Sequence, residues 1–172
     1  MKNELKQLSR TDQARGITNF LEKIVIDVGI GRLSSQPNFD KTLPQVISDV
    51  AVICGQKPQV RAAKKSIAGF KIREGQVVGL RATLRRRKMV DFFERLIKIV
   101  LPRVRDFRGL KLSFVDGGGV LNIGIKEQYV FPEIVPDKST LSFSLGINIV
   151  PRKKNREKAL EKYKELGVPL KK

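Results

Sequence analysis

Histidine is absent from this chain, and cysteine occurs once, at Cys54. The first absence removes the commonest general base and metal ligand, and with it any Ser–His or Cys–His dyad. Together the two absences exclude the usual zinc sites and any internal disulfide. Cys54 lies in an apolar stretch and is expected to pack as a small hydrophobe, in keeping with a reducing compartment. Tryptophan is missing as well, and the aromatic residues are nine Phe and two Tyr. No run of about 18 apolar residues occurs, and Met1–Gly16 is polar and mixed in charge. Neither a transmembrane helix nor a signal-peptide core is therefore expected, no membrane partner is implied, and the chain reads as a soluble cytoplasmic protein. A hydrophobic fraction of 41% over 172 residues suffices for one domain, residues 1–172. Residues 1–20 are expected to be flexible or to form a truncated leading helix.

Acidic residues are the other shortage: 17 against 35 Lys plus Arg, a net charge of +18. A compact domain with that excess repels itself unless a polyanion is present. The cations are also concentrated. From Lys57 to Lys88 the basic residues are Lys57, Arg61, Lys64, Lys65, Lys71, Arg73, Arg81, Arg85, Arg86, Arg87 and Lys88, and the sole acid is Glu74. A merely solvated surface intersperses the two signs, as Glu157, Glu161 and Glu165 do on a Lys-rich C-terminal segment where i, i+4 spacing suggests an ion-pair face. A one-signed run this long points to phosphate contacts and nucleic-acid binding.

Local pattern gives a mixed set of elements. Glu22–Gly31 alternates apolar and polar residues before turn glycines, as a half-buried strand does. Thr42–Cys54 carries Leu43, Val46, Ile47, Val50 and Ile53 at helical spacing, with Thr42 as N-cap, Pro44 in the first turn and Gly55 as C-cap. Gln59–Ala63 and Val77–Arg85 read as strands around a Gly-punctuated stretch, Ser66–Gly79. Lys88–Leu101 has the clearest helical stripe, stopped by Pro102. Leu110–Val115, Val120–Ile125 and Thr140–Val150 have strand character, and a basic helix spans about Lys154 to Leu166. Without regular alternation of strand and helix, the pattern favours a two-layer α+β sandwich over a doubly wound parallel fold.

Two glycine-rich loops fail as nucleotide cradles. Gly29-Ile30-Gly31 lacks the third glycine of a dinucleotide fingerprint, and Asp116-Gly117-Gly118-Gly119 lacks the Gly-Lys-Ser/Thr ending of a phosphate loop, so both read as turns. Phe92 and Phe93 belong to the helical stripe. Phe70 and Phe107, each beside basic residues, are assigned to the core ahead of base stacking, so recognition is expected to lean on phosphates, sugars and RNA shape.

Several segments in order are more specific. Gly55-Gln56-Lys57-Pro58, Lys65 to Gly75 (KSIAGFKIREG), Thr83-Leu84-Arg85, Leu101 to Leu110 (LPRVRDFRGL) and Phe131-Pro132-Glu133-Ile134 together closely resemble the family of the universal fifth protein of the large ribosomal subunit, a 5S rRNA binder of bacterial type. The resemblance runs from about Glu22 to Gly167-Val168-Pro169. It implies a concave, mainly antiparallel sheet with helices packed on one face and a projecting loop. It also implies a ribosome-bound structural protein, not an enzyme, with 5S rRNA, large-subunit rRNA, peptidyl-site tRNA and neighbouring ribosomal proteins as partners, one of them in the small-subunit head.

In that family an Asn, a Gln and a Thr on the sheet grip 5S rRNA, and the matching positions here are Asp27, Gln56 and Thr83. The cations around them, Lys57, Arg61, Lys64, Lys65 and Arg85, complete the expected 5S rRNA surface. The projecting loop matches Lys71–Gly79: Lys71 and Arg73 are expected to pair with tRNA phosphates, while Glu74, Gly75 and Gln76 offer backbone and side-chain hydrogen bonds. Asp27 departs from the family, since a carboxylate lacks the donors of an amide and phosphate repels it. No cofactor is expected, save a hydrated Mg²⁺ that could bridge Asp27 to phosphate at the RNA interface. Further departures are a shorter N-terminus, an extra Val115, Val120 where Asn is common, and Val150-Pro151-Arg152 in place of threonines. A free RNA chaperone and a nucleic-acid-modifying enzyme are the competing classes; the high charge disfavours the first, and the lack of His and of clustered acids disfavours the second.

Overall fold

Alternation of apolar and polar side chains organises the strands of the structure, a computed structural model that describes residues 14–31, 39–135, 139 and 141–171. Strand β1 (Leu21–Gly29) buries Leu21, Ile24, Ile26 and Val28. Strand β3 (Val77–Leu84) buries Leu80, Ala82 and Leu84 and exposes Arg81 and Thr83. Strands β5 (Leu121–Ile125) and β6 (Leu145–Pro151) repeat the pattern, with Leu121, Ile123 and Ile125, then Leu145, Ile147 and Ile149, turned inward. With β2 (Gln59–Ala62) at one edge they form a five-stranded, mainly antiparallel sheet in the order β2-β3-β1-β6-β5. Period-two burial on a sheet means one apolar face and one open polar face. Strands β4 (Leu110–Lys111) and β7 (Leu170–Lys171) make a separate parallel pair. The fold is α+β, as expected.

Residues 14–20 are helical, and the rest of the expected leading segment, residues 1–13, lies outside the described residues. Helix α1 (Phe39–Cys54) begins three residues before the expected Thr42. Thr42 does not cap it: its hydroxyl donates to the Phe39 carbonyl at 3.0 Å, and Pro44 lies inside the helix. Gly55, at φ +65°, ends it in the left-handed conformation that glycine adopts without penalty. Helix α2 (Arg86–Arg95) continues through a π turn over Leu96–Val100 and an α turn over Leu101–Arg103, so Pro102 sits within the last turn. The wide π turn before it leaves the proline ring room that α spacing would deny. Helix α3 (Arg156–Glu165) has a proper cap, with the Asn155 side chain accepting from the Lys158 N–H at 3.0 Å. Its Glu165 pairs with Lys162, as an ion-pair face should.

The chain divides into two compact units, each discontinuous in sequence. One comprises residues 1–24, 84–123 and 148–172. Its core holds Phe92, Phe93 and Tyr163, and the Tyr163 hydroxyl lies 3.0 Å from the Gly119 carbonyl and 3.1 Å from that of Ile149. Burial pushes the Tyr163 phenol well above its usual range, so it stays a donor. Gly119 has φ +82°, and a Cβ there would come within 2.8 Å of the Ala159 Cβ. The triple-glycine loop is thus a turn packed against α3, closed by the Asp116 side chain accepting from the Val120 N–H at 2.8 Å. In the same unit Arg156 donates to the carbonyls of Val115 and Leu112 at 3.2 and 3.3 Å. Those side-chain bonds take the place of a strand partner, and the expected strand Leu110–Val115 shortens to two residues followed by a 3₁₀ turn at Leu112–Phe114.

The second unit comprises residues 25–83 and 124–147. Cys54 is buried in it, as its apolar surroundings suggest. Its polar centre is Gln128, fully buried, which donates to the Leu141 carbonyl at 2.6 Å and the Ser139 hydroxyl at 3.1 Å and accepts from the Phe143 N–H at 2.9 Å. Ser139 in turn donates to Asp49 of α1 at 2.7 Å. One amide side chain therefore satisfies the Leu141 carbonyl and the Phe143 N–H, and of the expected strand Thr140–Val150 the stretch from Leu145 onward is β6, while Thr140 lies outside the described residues.

Tyr163→Phe should preserve the fold but lower the free energy of unfolding by about 1–3 kcal/mol, because the carbonyls of Gly119 and Ile149 lose their buried donor. Urea denaturation followed by circular dichroism measures this, and an unchanged midpoint would show that the hydroxyl contributes nothing.

Candidate nucleic-acid interface

The open face of the sheet presents the outward residues of β1 and β3. Asp27 and Arg81 meet there, with the Arg81 Nε donating to the Asp27 carboxylate at 2.5 Å. That hydrogen bond, and then the carboxylate's charge, raise the proton affinity of the guanidinium further. The departure at position 27 thus has a counter-charge within the protein. The bare carboxylate facing phosphate that the sequence suggests is replaced by an ion pair, which leaves the terminal nitrogens of Arg81 on a partly exposed side chain.

Gln56 and Thr83, the other two matched positions, are brought together. The turn at Gly55 sends the chain back over β3, and the Gln56 Nε2 donates to the Thr83 carbonyl at 3.0 Å. The Thr83 side chain alternates outward with Arg81 and is exposed. Strand β2 follows, antiparallel to β3 with Gln59 opposite Arg81 and Arg61 opposite Gly79. Gly79 lets β3 come close to β1: a Cβ there would lie 3.1 Å from the Val28 carbonyl, and the strands would have to give by a few tenths of an ångström. Lys57, Arg61, Lys64 and Lys65 are all exposed along this edge. Among the described residues, no salt bridge involves these four or Lys71 and Arg73 of the loop beyond.

Residues 77–79, shared by the expected strand Val77–Arg85 and the expected loop Lys71–Gly79, belong to β3, which leaves a shorter loop between β2 and β3. It is also more ordered internally. Gly75, at φ +80°, donates to the Ala63 carbonyl at 3.0 Å, Glu74 N–H to the Ser66 hydroxyl at 3.0 Å, and Arg73 N–H to the Gln76 side chain at 2.9 Å. Gln76 N–H bonds the Arg73 carbonyl at 3.2 Å. The backbone donors of Arg73 to Gln76 are therefore engaged within the loop. The N–H groups of Glu74, Gly75 and Gln76 are thus spent within the loop, while the side chains of Lys71, Arg73 and Glu74 are exposed. Phe70 is also misassigned by its sequence context. It is 74% exposed rather than in the core, while Phe107 is half-buried.

Arg85 belongs to the other unit, where it pairs with Glu22 at 3.5 Å. Lys23 first, and then Arg85, hold the Glu22 carboxyl below its usual range. Arg85 also opens α2, followed by exposed Arg86, Arg87 and Lys88. The first turn holds no acid and Arg85 makes no side-chain cap. Four cations at the positive end of a helix repel its dipole. Only Arg85 of these was singled out above, although the other three were legible in the charge run.

Two family models cover most of the chain: ribosomal protein L5 over residues 20–73 and the ribosomal L5P family C-terminus over residues 77–170. The chain belongs to the ribosomal protein L5 family. Large ribosomal subunit protein uL5 of Chlorobium luteolum is 44% identical over 169 residues, covering 97% of this chain and 86% of its own length. The protein of the same name from Chlorobaculum tepidum is 46% identical over 152 residues, 88% of this chain and 81% of its own. That of Halothermothrix orenii is 46% identical over 149 residues, 87% and 82% respectively. As an L5-family protein the chain is a structural, RNA-binding component of the large ribosomal subunit, bound to the ribosome in the cytoplasm, and not an enzyme.

Asp27→Asn in this L5-family chain should cost less than about 1 kcal/mol of stability, because the pair with Arg81 is solvent-accessible. Chemical denaturation of both proteins checks this. A larger loss would mean that the pair fixes β1 against β3.

Proposed function

We propose that the chain anchors 5S rRNA through the open face and basic edge of the sheet. In this reading Gln56, Thr83 and the Asp27–Arg81 pair contact the RNA, and Lys57, Arg61, Lys64 and Lys65 neutralise its phosphates. Arg85, two residues beyond Thr83 in the chain, adds a further cation. The observation that carries the reading is the one-signed run of exposed side chains from Lys57 to Lys88, in a chain of net charge +18. Such a surface is self-repelling until a polyanion covers it. Gln56 supports the same reading: its amide nitrogen is tied to Thr83, so its carbonyl oxygen is held in a fixed position to accept a hydrogen bond from a base or a ribose hydroxyl.

The loop between β2 and β3 then serves the elbow of the peptidyl-site tRNA through Lys71 and Arg73. Contacts with large-subunit rRNA and with a protein of the small-subunit head belong to the same reading. Mg²⁺ has a reduced role in it, because Arg81 already balances Asp27.

Affinity for purified 5S rRNA should fall steeply with salt, with roughly −0.7 to −0.9 in the slope of log affinity against log salt for each phosphate neutralised. A nearly flat slope in filter binding would remove the electrostatic account. Asp27→Asn should bind 5S rRNA at least as tightly as wild type, with little change in Mg²⁺ dependence because Arg81 already offsets the carboxylate; weaker binding by that protein, correctly folded, would mean the carboxylate makes a contact that an amide cannot.

Since Val77 and Val78 are part of β3, the loop is best tested by charge reversal. Lys71→Glu with Arg73→Glu should leave 5S rRNA affinity near that of wild type and reduce retention of peptidyl-site tRNA on ribosomes carrying the variant. Retained tRNA with lost 5S rRNA binding would exchange the two surfaces.

A further inference from the structure

We propose that Phe70 is a base-stacking residue, presenting its ring to an unpaired nucleobase; the proposal rests on the RNA-binding reading above and deepens it. A Phe side chain 74% exposed leaves most of a large apolar ring in water. Its position is held by the backbone. Ile67 and Ile72 pair as an antiparallel bridge, with Ile67 N–H to the Ile72 carbonyl at 2.9 Å and the reverse bond at 3.2 Å. Between them Ala68–Phe70 form a 3₁₀ turn, closed by Phe70 N–H to Ile67 at 3.3 Å and Lys71 N–H to Ala68 at 3.0 Å.

Lys71 ends that turn at φ +52°, a left-handed conformation that a lysine adopts at a cost. The turn therefore holds the backbone of Phe70 at the cost of some local strain, with the ring largely in water. The surroundings choose the partner. Lys64, Lys65, Lys71 and Arg73 are all exposed, and the sole acid between Lys57 and Lys88 is Glu74. Cations that track a phosphate backbone around one exposed aromatic ring are what binding to single-stranded or looped RNA requires. A protein partner's apolar pocket would not call for four exposed cations within six residues of Phe70 in the chain.

The chain contains no tryptophan, so Phe70→Trp in the full-length protein makes a single fluorescent reporter at the site. It is titrated with three probes: 5S rRNA, large-subunit rRNA freed of 5S rRNA, and deacylated tRNA. With at least one of them, its emission should be quenched at an affinity close to that of wild type. Phe70→Ala and Phe70→Leu should both lose roughly 5- to 150-fold in affinity for that same probe, the range of one base–aromatic stack. Their salt slopes should match wild type, since no phosphate contact is removed.

The probe that quenches identifies the source of the base, ribosomal or transfer RNA. A Phe70→Leu protein that binds like wild type reduces the contact to apolar packing and overturns stacking, as does an unquenched indole or a Phe70→Ala protein with unchanged affinity for all three. If wild type binds none of the probes, the RNA-binding reading itself fails, and stacking with it.

Discussion

Strands β1 and β3 must hold one register, and the rest of the molecule depends on it. In that register Ile24, Ile26 and Val28 of β1 and Leu80, Ala82 and Leu84 of β3 point inward together. Arg81, Thr83 and Asp27 consequently point outward together. A slip of one residue in either strand would turn Arg81 or Asp27 into the core and three apolar side chains into water. Close approach at Gly79, against the Val28 carbonyl, and the Asp27–Arg81 pair agree with the same register. Packing and recognition are therefore one constraint: the alternation that builds the core also assembles the polar face.

Charge works in the opposite direction. Of the eleven cations from Lys57 to Lys88, Arg81 stands on the open face of β3, and the other ten lie on or beside the edge strand β2, on the loop after it and at the start of α2, all of them exposed. Some sit where they oppose local structure, as do Arg85 to Lys88 at the positive end of α2. Their retention at structurally unfavourable positions is explained by a polyanionic partner that neutralises them, which the L5 family supplies as ribosomal RNA.

Much of this was legible in the sequence. Period-two alternation gave β1 and β3, the helical stripe gave Phe92 and Phe93 as core, and the charge run marked the basic surface. Elements whose backbone is satisfied by side chains were not legible. Arg156 shortens the strand after Leu110, and Gln128 takes over the Leu141 carbonyl and the Phe143 N–H; in both cases the partner is distant in sequence. Two-residue β7 is too short to carry a pattern. At the site, the family resemblance placed Gln56 and Thr83, but not their mutual hydrogen bond, nor the counter-charge that Arg81 gives Asp27. Phe70 was assigned to the core ahead of base stacking, whereas it lies in a 3₁₀ turn closed by a left-handed Lys71, which composition does not announce.

The central claim is that the basic edge beside the open sheet face, rather than basicity in general, meets 5S rRNA. The chain carries a Lys-rich surface of mixed sign for comparison, helix α3, where Lys158, Lys162 and Lys164 stand among Glu157, Glu161 and Glu165. Lysine reactivity toward an amine-modifying reagent, mapped by mass spectrometry with and without 5S rRNA, separates the two directly. The account predicts strong protection of Lys57, Lys64 and Lys65 and little change at Lys158, Lys162 and Lys164. Protection centred on α3, with Lys57, Lys64 and Lys65 as reactive as in the free protein, would contradict it.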